Sequence, residues 1–218
     1  MTHSVEQNRK QKILDAAEHA ISECGFTGAS LRHITAEAKV NLATVYYYFG
    51  SKEGLFKEVF LRRLSPLRQM QLDRLKALES QPEKPTLAQL IESILSPVKY
   101  NGENKQIALK LVGRINTEPH PLAQELIKKN YGTVRLAYTK AFQKILPGLS
   151  LKDIQWRLEF VWGAMIFVLC NPGRVSSMTE GLCDTSNAEE MIQQMTRFFE
   201  AGLQSPAVVS TDYKTGNV

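Results

Sequence analysis

Residues 41–56 read NLATVYYYFGSKEGLF and set Tyr46, Tyr47, Tyr48 and Phe49 in one run, with Thr44 before it and Lys52 after it. These residue types suit recognition rather than bond-breaking. A phenol offers a flat apolar face to a sugar or a thymine methyl, and a hydroxyl to a phosphate oxygen. Thr44 can donate to a phosphate or a base, and Lys52 adds a positive charge at the same height. A helix of about seven residues cannot bury four rings and keep a solvent face. The spacing therefore predicts that Val45 and Phe49, at i and i+4, turn inward and the tyrosines line the outer faces. The alternative is that all four rings belong to the core.

No comparable set of groups exists for catalysis. Cys24, Cys170 and Cys183 are far apart and form no CxxC, and His3, His19, His33 and His120 are equally scattered. Neither a disulfide framework nor a zinc site is indicated. Nucleophile–base pairings and phosphate-binding loops are missing too, so an enzyme is not expected, and neither is a metal or another cofactor. Cys24 falls in a helical apolar pattern and reads as a small core residue.

The net charge is +5 and unevenly spread: residues 1–76 hold 12 Lys/Arg against 8 Asp/Glu, whereas 147–218 hold 5 against 8. A basic front and an acidic back suggest a nucleic-acid partner at the front, or simply scattered surface charge. The start, MTHSVEQNRKQK, lacks the apolar core of a signal peptide. The longest apolar run, FVWGAMIFVLC at 160–170, has eleven residues and is too short to cross a bilayer. A soluble cytoplasmic protein without a membrane partner is the expectation.

The elements that must position these residues are helical almost throughout. Ile13, Ala17, Ala20, Ile21 and Cys24 make one stripe of a helix over 5–24, with Ser4 and Gln7 as a capping box and Gly25 as its end. A short helix follows from Ser30, its N-cap, to Ala38, then a tight turn at 39–41 and an Asn41-capped helix over 42–48. Ser51 caps a long helix to Glu79. The polar SQPEKP at 80–85 is the clearest break. Further helices are expected at 86–99, 105–117, 120–146, 150–171 and 187–204, with capping boxes at Thr86…Gln89 and Ser150…Asp153 and a break at Pro147-Gly148. Residues 172–186 read as a loop. The prediction is an all-α chain of about nine helices. It divides into an N-terminal three-helix, helix-turn-helix domain over 1–52, a larger helical domain over 53–205, and a disordered tail over 206–218.

A supporting helix, a short helix, a tight turn and a second short helix form a helix-turn-helix, whose second short helix enters the major groove. The stretch GFTGASLRHITAEAKVNLATVYYYFGSKEGLF resembles the N-terminal DNA-binding domain of the TetR family of bacterial repressors. The likeness rests on Gly25-Phe26, Ser30-Leu31-Arg32, Ile34, Ala36, Ala38, Val40, Thr44-Val45-Tyr46 through Phe49, Lys52 and Leu55. It covers residues 10–62, roughly a quarter of the chain. By position, Ser30, Arg32, Leu42, Ala43, Thr44, Tyr46, Tyr47, Tyr48 and Lys52 match the family's DNA contacts. Leu42 and Ala43 depart from a hydrogen-bonding reader, so base recognition leans on Arg32, Thr44, thymine methyls and DNA shape. The resemblance implies a homodimer on a double-stranded, pseudo-palindromic operator, dimerised through its last two helices and released by a small-molecule inducer. The rivals are an activator, or a lipid-binding or interaction module that no longer binds DNA.

Independently of that resemblance, the helix at 150–171 carries Ile154, Leu158, Val161, Trp162, Met165 and Leu169 on one side and Phe160, Ala164, Phe167 and Val168 around the rest. From about residue 158 it is apolar all round and is expected to be buried on two sides, by its own core and a partner subunit or else within the large core of a monomer. The last helix, with Met191, Ile192, Met195, Phe198, Phe199 and Leu203, is likewise broader than one core face needs. A ligand pocket between the central helices would draw on Leu111, Ile115, Tyr131, Tyr138, Trp162, Met165 and Phe167, most of which read more readily as plain core. Arg114, a cation in ALKLVGRI, either binds a carboxylate or phosphate head group or is solvated or salt-bridged. The segments FLRRLSPL, KPTLAQLI and WRLEFVWGAMIF resemble the subgroup of the family that responds to long-chain fatty acids or their acyl thioesters.

Overall fold

The computed structural model describes residues 2–100, 102 and 105–207, with side chains from Glu6 onward. Most of the expected 206–218 tail, and the side chain of the expected Ser4 cap, lie outside the described residues. Ten α-helices and one 3-10 turn occur among the described residues, and no strand. They are α1 (Thr2–Gly28), α2 (Leu31–Ala38), α3 (Leu42–Phe49), α4 (Lys52–Glu79), α5 (Leu87–Ile94), α6 (Lys105–Thr117), α7 (Pro121–Ile145), α8 (Leu151–Cys170), α9 (Pro172–Met178) and α10 (Ala188–Gln204). No single helix among them is long and apolar enough to cross a membrane.

Two cores hold the chain together. In the first, the α1 stripe of Ile13, Ala17 and Ile21 packs on Ile34 of α2, Val45 of α3 and Leu55, Phe56, Val59 and Phe60 of α4. Each fully buried Ile, Leu, Val or Phe side chain among them contributes about 1.5–3 kcal/mol. This core continues beyond the head into Leu111 and Ile115 of α6 and Leu126 of α7. The second core joins Leu75 of α4 to α5, the C-terminal half of α7, α8 and α10. Helix α4 thus runs through both cores, and its Arg63 clamps it to α1: Nε and Nη2 donate to the two carboxylate oxygens of Glu18 at 2.9 and 2.6 Å, inside the protein.

Local signals explain most boundaries. Both capping boxes form, with Thr86 and Ser150 side chains accepting from the N3 backbone and Gln89 and Asp153 reaching back. Three expectations need correction. The helix expected over 86–99 is α5 followed by a 3-10 turn over Ser96–Lys99, because Pro97 has no N–H to give and disfavours α geometry in the residue before it. The loop expected at 172–186 begins with a helix, α9. Pro172 sits in its first turn, where a missing N–H costs nothing and its fixed φ is already helical. Cys24 is exposed rather than core: it lies where α1 turns at Gly25, beyond the reach of the stripe. Helical structure resumes past that kink to Gly28.

Candidate nucleic-acid interface

The head is built around α3, and its two ends are fixed by short-range chemistry. Asn41 Oδ1 accepts from the Thr44 backbone N–H at 2.8 Å and from the Thr44 hydroxyl at 2.7 Å. The Thr44 hydroxyl proton is therefore committed to the cap, and outward it offers lone pairs. Lys39 takes a left-handed conformation (φ 54°) and its N–H closes onto α2, which makes the tight turn. At the far end Ser51 Oγ accepts from Gly54 N–H at 3.0 Å to start α4. A Cβ at Gly54 would fall 2.0 Å from the Phe49 carbonyl oxygen, so this close approach of α3 to α4 requires glycine.

The tyrosines divide. Val45 is buried and Phe49 half-buried, as their spacing predicts; Tyr46 and Tyr47 are exposed, Tyr47 most of all at 75%. Tyr48 is a correction, since it is half-buried against the first core, with its ring 5.1 Å from Tyr47 and 6.2 Å from Phe49. Lys52 Nζ stands 5.2 Å over the Phe56 ring, held by a cation–π contact. Ser30 occupies the N-cap position of α2 but makes no capping bond, leaving its hydroxyl available.

Five of the sequence-predicted contacts, Ser30, Arg32, Leu42, Tyr46 and Lys52, line one open groove of about 590 Å³. Ala43, Thr44, Tyr47 and Tyr48 are not on its wall. Thr27, Gly28 and Ala29 are, and sequence reading missed them. A phosphate laid there would meet the cations of Arg32 and Lys52, the hydroxyls of Ser30 and Tyr46, and the N–H groups at the start of α2.

The other eight predicted residues scatter. Leu111 and Ile115 belong to the first core, and Tyr138 to the second, where its hydroxyl donates to Gln71 O at 3.0 Å. Tyr131, Trp162 and Met165 line a narrow cavity of about 50 Å³ between α4, α6, α7 and α8. Burial pushes the Tyr131 phenol up to about 12, so it stays protonated. Arg114 and Phe167 border an open groove of about 650 Å³ next to that cavity, with Trp162 and Arg135 common to both. Arg114 is bonded rather than free, donating from Nη2 to Glu23 O at 2.7 Å. Arg135 pairs with Glu159. Gln71 on the cavity wall was missed, although Leu64, Gln71 and Leu75 share one stripe of α4 that signals its burial.

A three-helix head bearing a helix-turn-helix, continued by one long helix into a second helical core with its own cavity, defines the helix-turn-helix regulator class. The sequence comparisons agree. The family described as bacterial regulatory proteins, tetR family, matches residues 13–59, and the Tetracyclin repressor-like C-terminal domain matches 88–202. Among curated relatives, the transcriptional regulator BetI of Paraburkholderia phytofirmans is 31% identical over 74 residues, 34% of this chain and 38% of its own. The transcriptional repressor NicS of Pseudomonas putida is 48% identical over 50 residues, 23% of this chain and 24% of its own. The matched segments thus span well under two thirds of these relatives. The structure of FadR from Bacillus subtilis in complex with stearoyl-CoA is similar over 88% of this chain and 98% of its own, at TM-score 0.59 and 15% identity, a likeness of fold. The chain belongs to the TetR family of bacterial transcriptional regulators.

Proposed function

We propose that the protein is a homodimeric repressor, released from a pseudo-palindromic operator by a small lipophilic inducer. The groove where Ser30, Arg32, Leu42, Tyr46 and Lys52 meet carries this reading, together with the exposed Tyr47 on the same helix as Tyr46. Helix α3 lies in the major groove with its N-terminal residues toward base edges, while Ser30 and Lys52 hold the backbone. Leu42 and Ala43 give apolar contact only, so DNA shape contributes to specificity. The protein acts in the cytoplasm as a binding protein, not an enzyme.

A second copy covers α8 and α10. Trp156, Phe160 and Phe198 are exposed on these two helices in the single chain, an apolar face that a four-helix interface would bury. The two heads then meet DNA about one helical turn, or a multiple of it, apart. The inducer enters through the open groove beside Arg114 and Phe167 and reaches the cavity walled by Tyr131, Trp162 and Met165. A fatty acid or acyl thioester suits those apolar walls but far exceeds the roughly 50 Å³ between them, so its entry must part the helices; FadR, of the same fold, holds stearoyl-CoA. Ligand tilts α4, changes the separation of the heads, and opposes DNA by the same factor that DNA opposes ligand.

Fluorescence anisotropy on the DNA upstream of the protein's own gene, titrated with fatty acids and acyl thioesters, tests the reading. Tight binding should fall by orders of magnitude between about 50 and 200 mM salt and be released by an acyl compound. Salt-insensitive binding sinks the DNA-binding head; binding that no acyl compound disturbs keeps the regulator and removes the acyl inducer.

A further inference from the structure

We propose that the cavity between α4, α6, α7 and α8 recognises a lipophile bearing a hydroxyl group in its buried part; this rests on the reading of that cavity as the inducer site. Two unpaired polar atoms carry it. Gln71 is 1% exposed, and its Nε2 donates to Ile94 O at 2.8 Å while its Oε1 has no partner. Trp162 is 5% exposed, and its indole Nε1 has no partner either. Both residues line the cavity.

Buried polar groups are nearly always hydrogen-bonded, and an unmet one is costly. Here the side chains that carry an unmet acceptor and an unmet donor both border one cavity, whose other walls are largely Leu67, Leu109, Met165 and Leu169. A hydroxyl is the smallest group that donates and accepts at once. It gives its proton to Gln71 Oε1 and takes the Trp162 N–H on its oxygen, so one group satisfies both. An ether or ester oxygen satisfies only Trp162. A carboxylate also only accepts, and it would leave water for a wall whose charged residue, Arg135, is already paired with Glu159. An anionic end, where the ligand has one, stays in the open groove near Lys110 and Arg114.

The position of Gln71 gives the hydroxyl a second consequence. Gln71 is on α4, the helix whose first residue is Lys52 of the DNA groove. A ligand bonded to its amide acts on α4 directly, whereas apolar contact alone grips the helix only through packing.

The test uses the full-length protein and an isomeric pair of probes, n-octanol and methyl heptyl ether, which differ only in where the oxygen sits. Affinity is read by calorimetry, and the indole N–H of Trp162 by nuclear magnetic resonance, with exposed Trp156 as the internal reference. The alcohol is expected to bind about tenfold tighter than the ether. It should move the Trp162 resonance downfield, and Gln71→Met should cut the preference to less than about threefold. If Gln71→Met does not fold, Trp162→Phe, which removes the N–H, must show the same loss. Equal affinity for the two isomers, the result also expected if a trapped water already bridges both atoms, overturns hydroxyl recognition and leaves the inducer site standing. Failure of both probes to bind overturns it as well, while release of operator DNA by an acyl compound would still uphold the regulator.

Discussion

Glu118 reaches back from the end of α6 to Phe26: its Oε2 accepts from the Phe26 backbone N–H at 2.8 Å, and its Oε1 from that of Thr27 at 3.1 Å. The carboxylate occupies the space a side chain at residue 25 would need. A Cβ there would lie 2.7 Å from Oε1, and Gly25 holds φ +72°, which L-residues disfavour. Two further ties join the same helices, Lys110 Nζ to Glu23 Oε1 at 2.6 Å and Arg114 Nη2 to Glu23 O. Helix α6 also walls the cavity through Leu109 and Val112, so one helix touches both that cavity and the Gly25 kink inside the three-helix head.

Glu118→Gln keeps the shape but leaves only one acceptor oxygen for two N–H donors. Stability should fall by about 1–2 kcal/mol, and the factor by which inducer weakens DNA binding should shrink. Denaturant melts together with DNA titrations, with and without inducer, check both; unchanged coupling would show that α6 passes nothing to the head through this contact.

The two neighbouring tyrosines should separate affinity from stability. Tyr47→Ala removes an exposed ring and is expected to weaken operator binding about tenfold, roughly one stacked or phosphate-bonded contact, with the melting temperature unchanged. Tyr48→Ala removes a half-buried ring from the rim of the first core and should cost about 1–3 kcal/mol of stability as well. Equal melting temperatures for the two variants would contradict the division of the rings.

Phe198 on α10 is 75% exposed in the single chain. Phe198→Glu combined with Phe160→Glu should convert a dimer into a folded particle of 24.6 kDa, because charges do not enter an apolar interface unpaired. Sedimentation equilibrium measures this directly. A dimer that persists would move the interface away from α8 and α10.

Tyr131 provides a pH signature. Its phenol is raised by burial to about 12 in the folded protein, whereas an unfolded tyrosine ionises near 10. The folded state therefore holds its proton when the unfolded state has lost it, and stability is full below pH about 10 and declines as pH rises to about 12, by about 2–3 kcal/mol in all. Tyr131→Phe has no proton to lose and should show a flatter profile over that window in chemical denaturation. Tyr138, also raised by burial, contributes the same sign to both proteins and cancels in the comparison.

Short-range chemistry made the head legible in sequence. Asn41 capping α3, Ser51 starting α4, and Val45 and Phe49 at i and i+4 all act within one turn of the chain. Their outcome needs no knowledge of distant residues, and the expected inward and outward faces of α3 largely hold. The same is true of the capping boxes at Thr86 and Ser150.

What the tertiary structure alone decided is which face meets what. An apolar stripe announces that a helix buries one side, but it does not name the partner. Leu111 and Ile115 read in sequence as either pocket lining or plain core, and they join the first core because α6 packs on α1 across about ninety residues of chain. Arg114 is consumed by the Glu23 carbonyl on that same contact. Gln71 gains its meaning only when α4, α6, α7 and α8 close around it and leave its oxygen without a donor. Periodicity is a property of one helix, whereas a cavity and its unpaired atoms are properties of several helices brought together by packing.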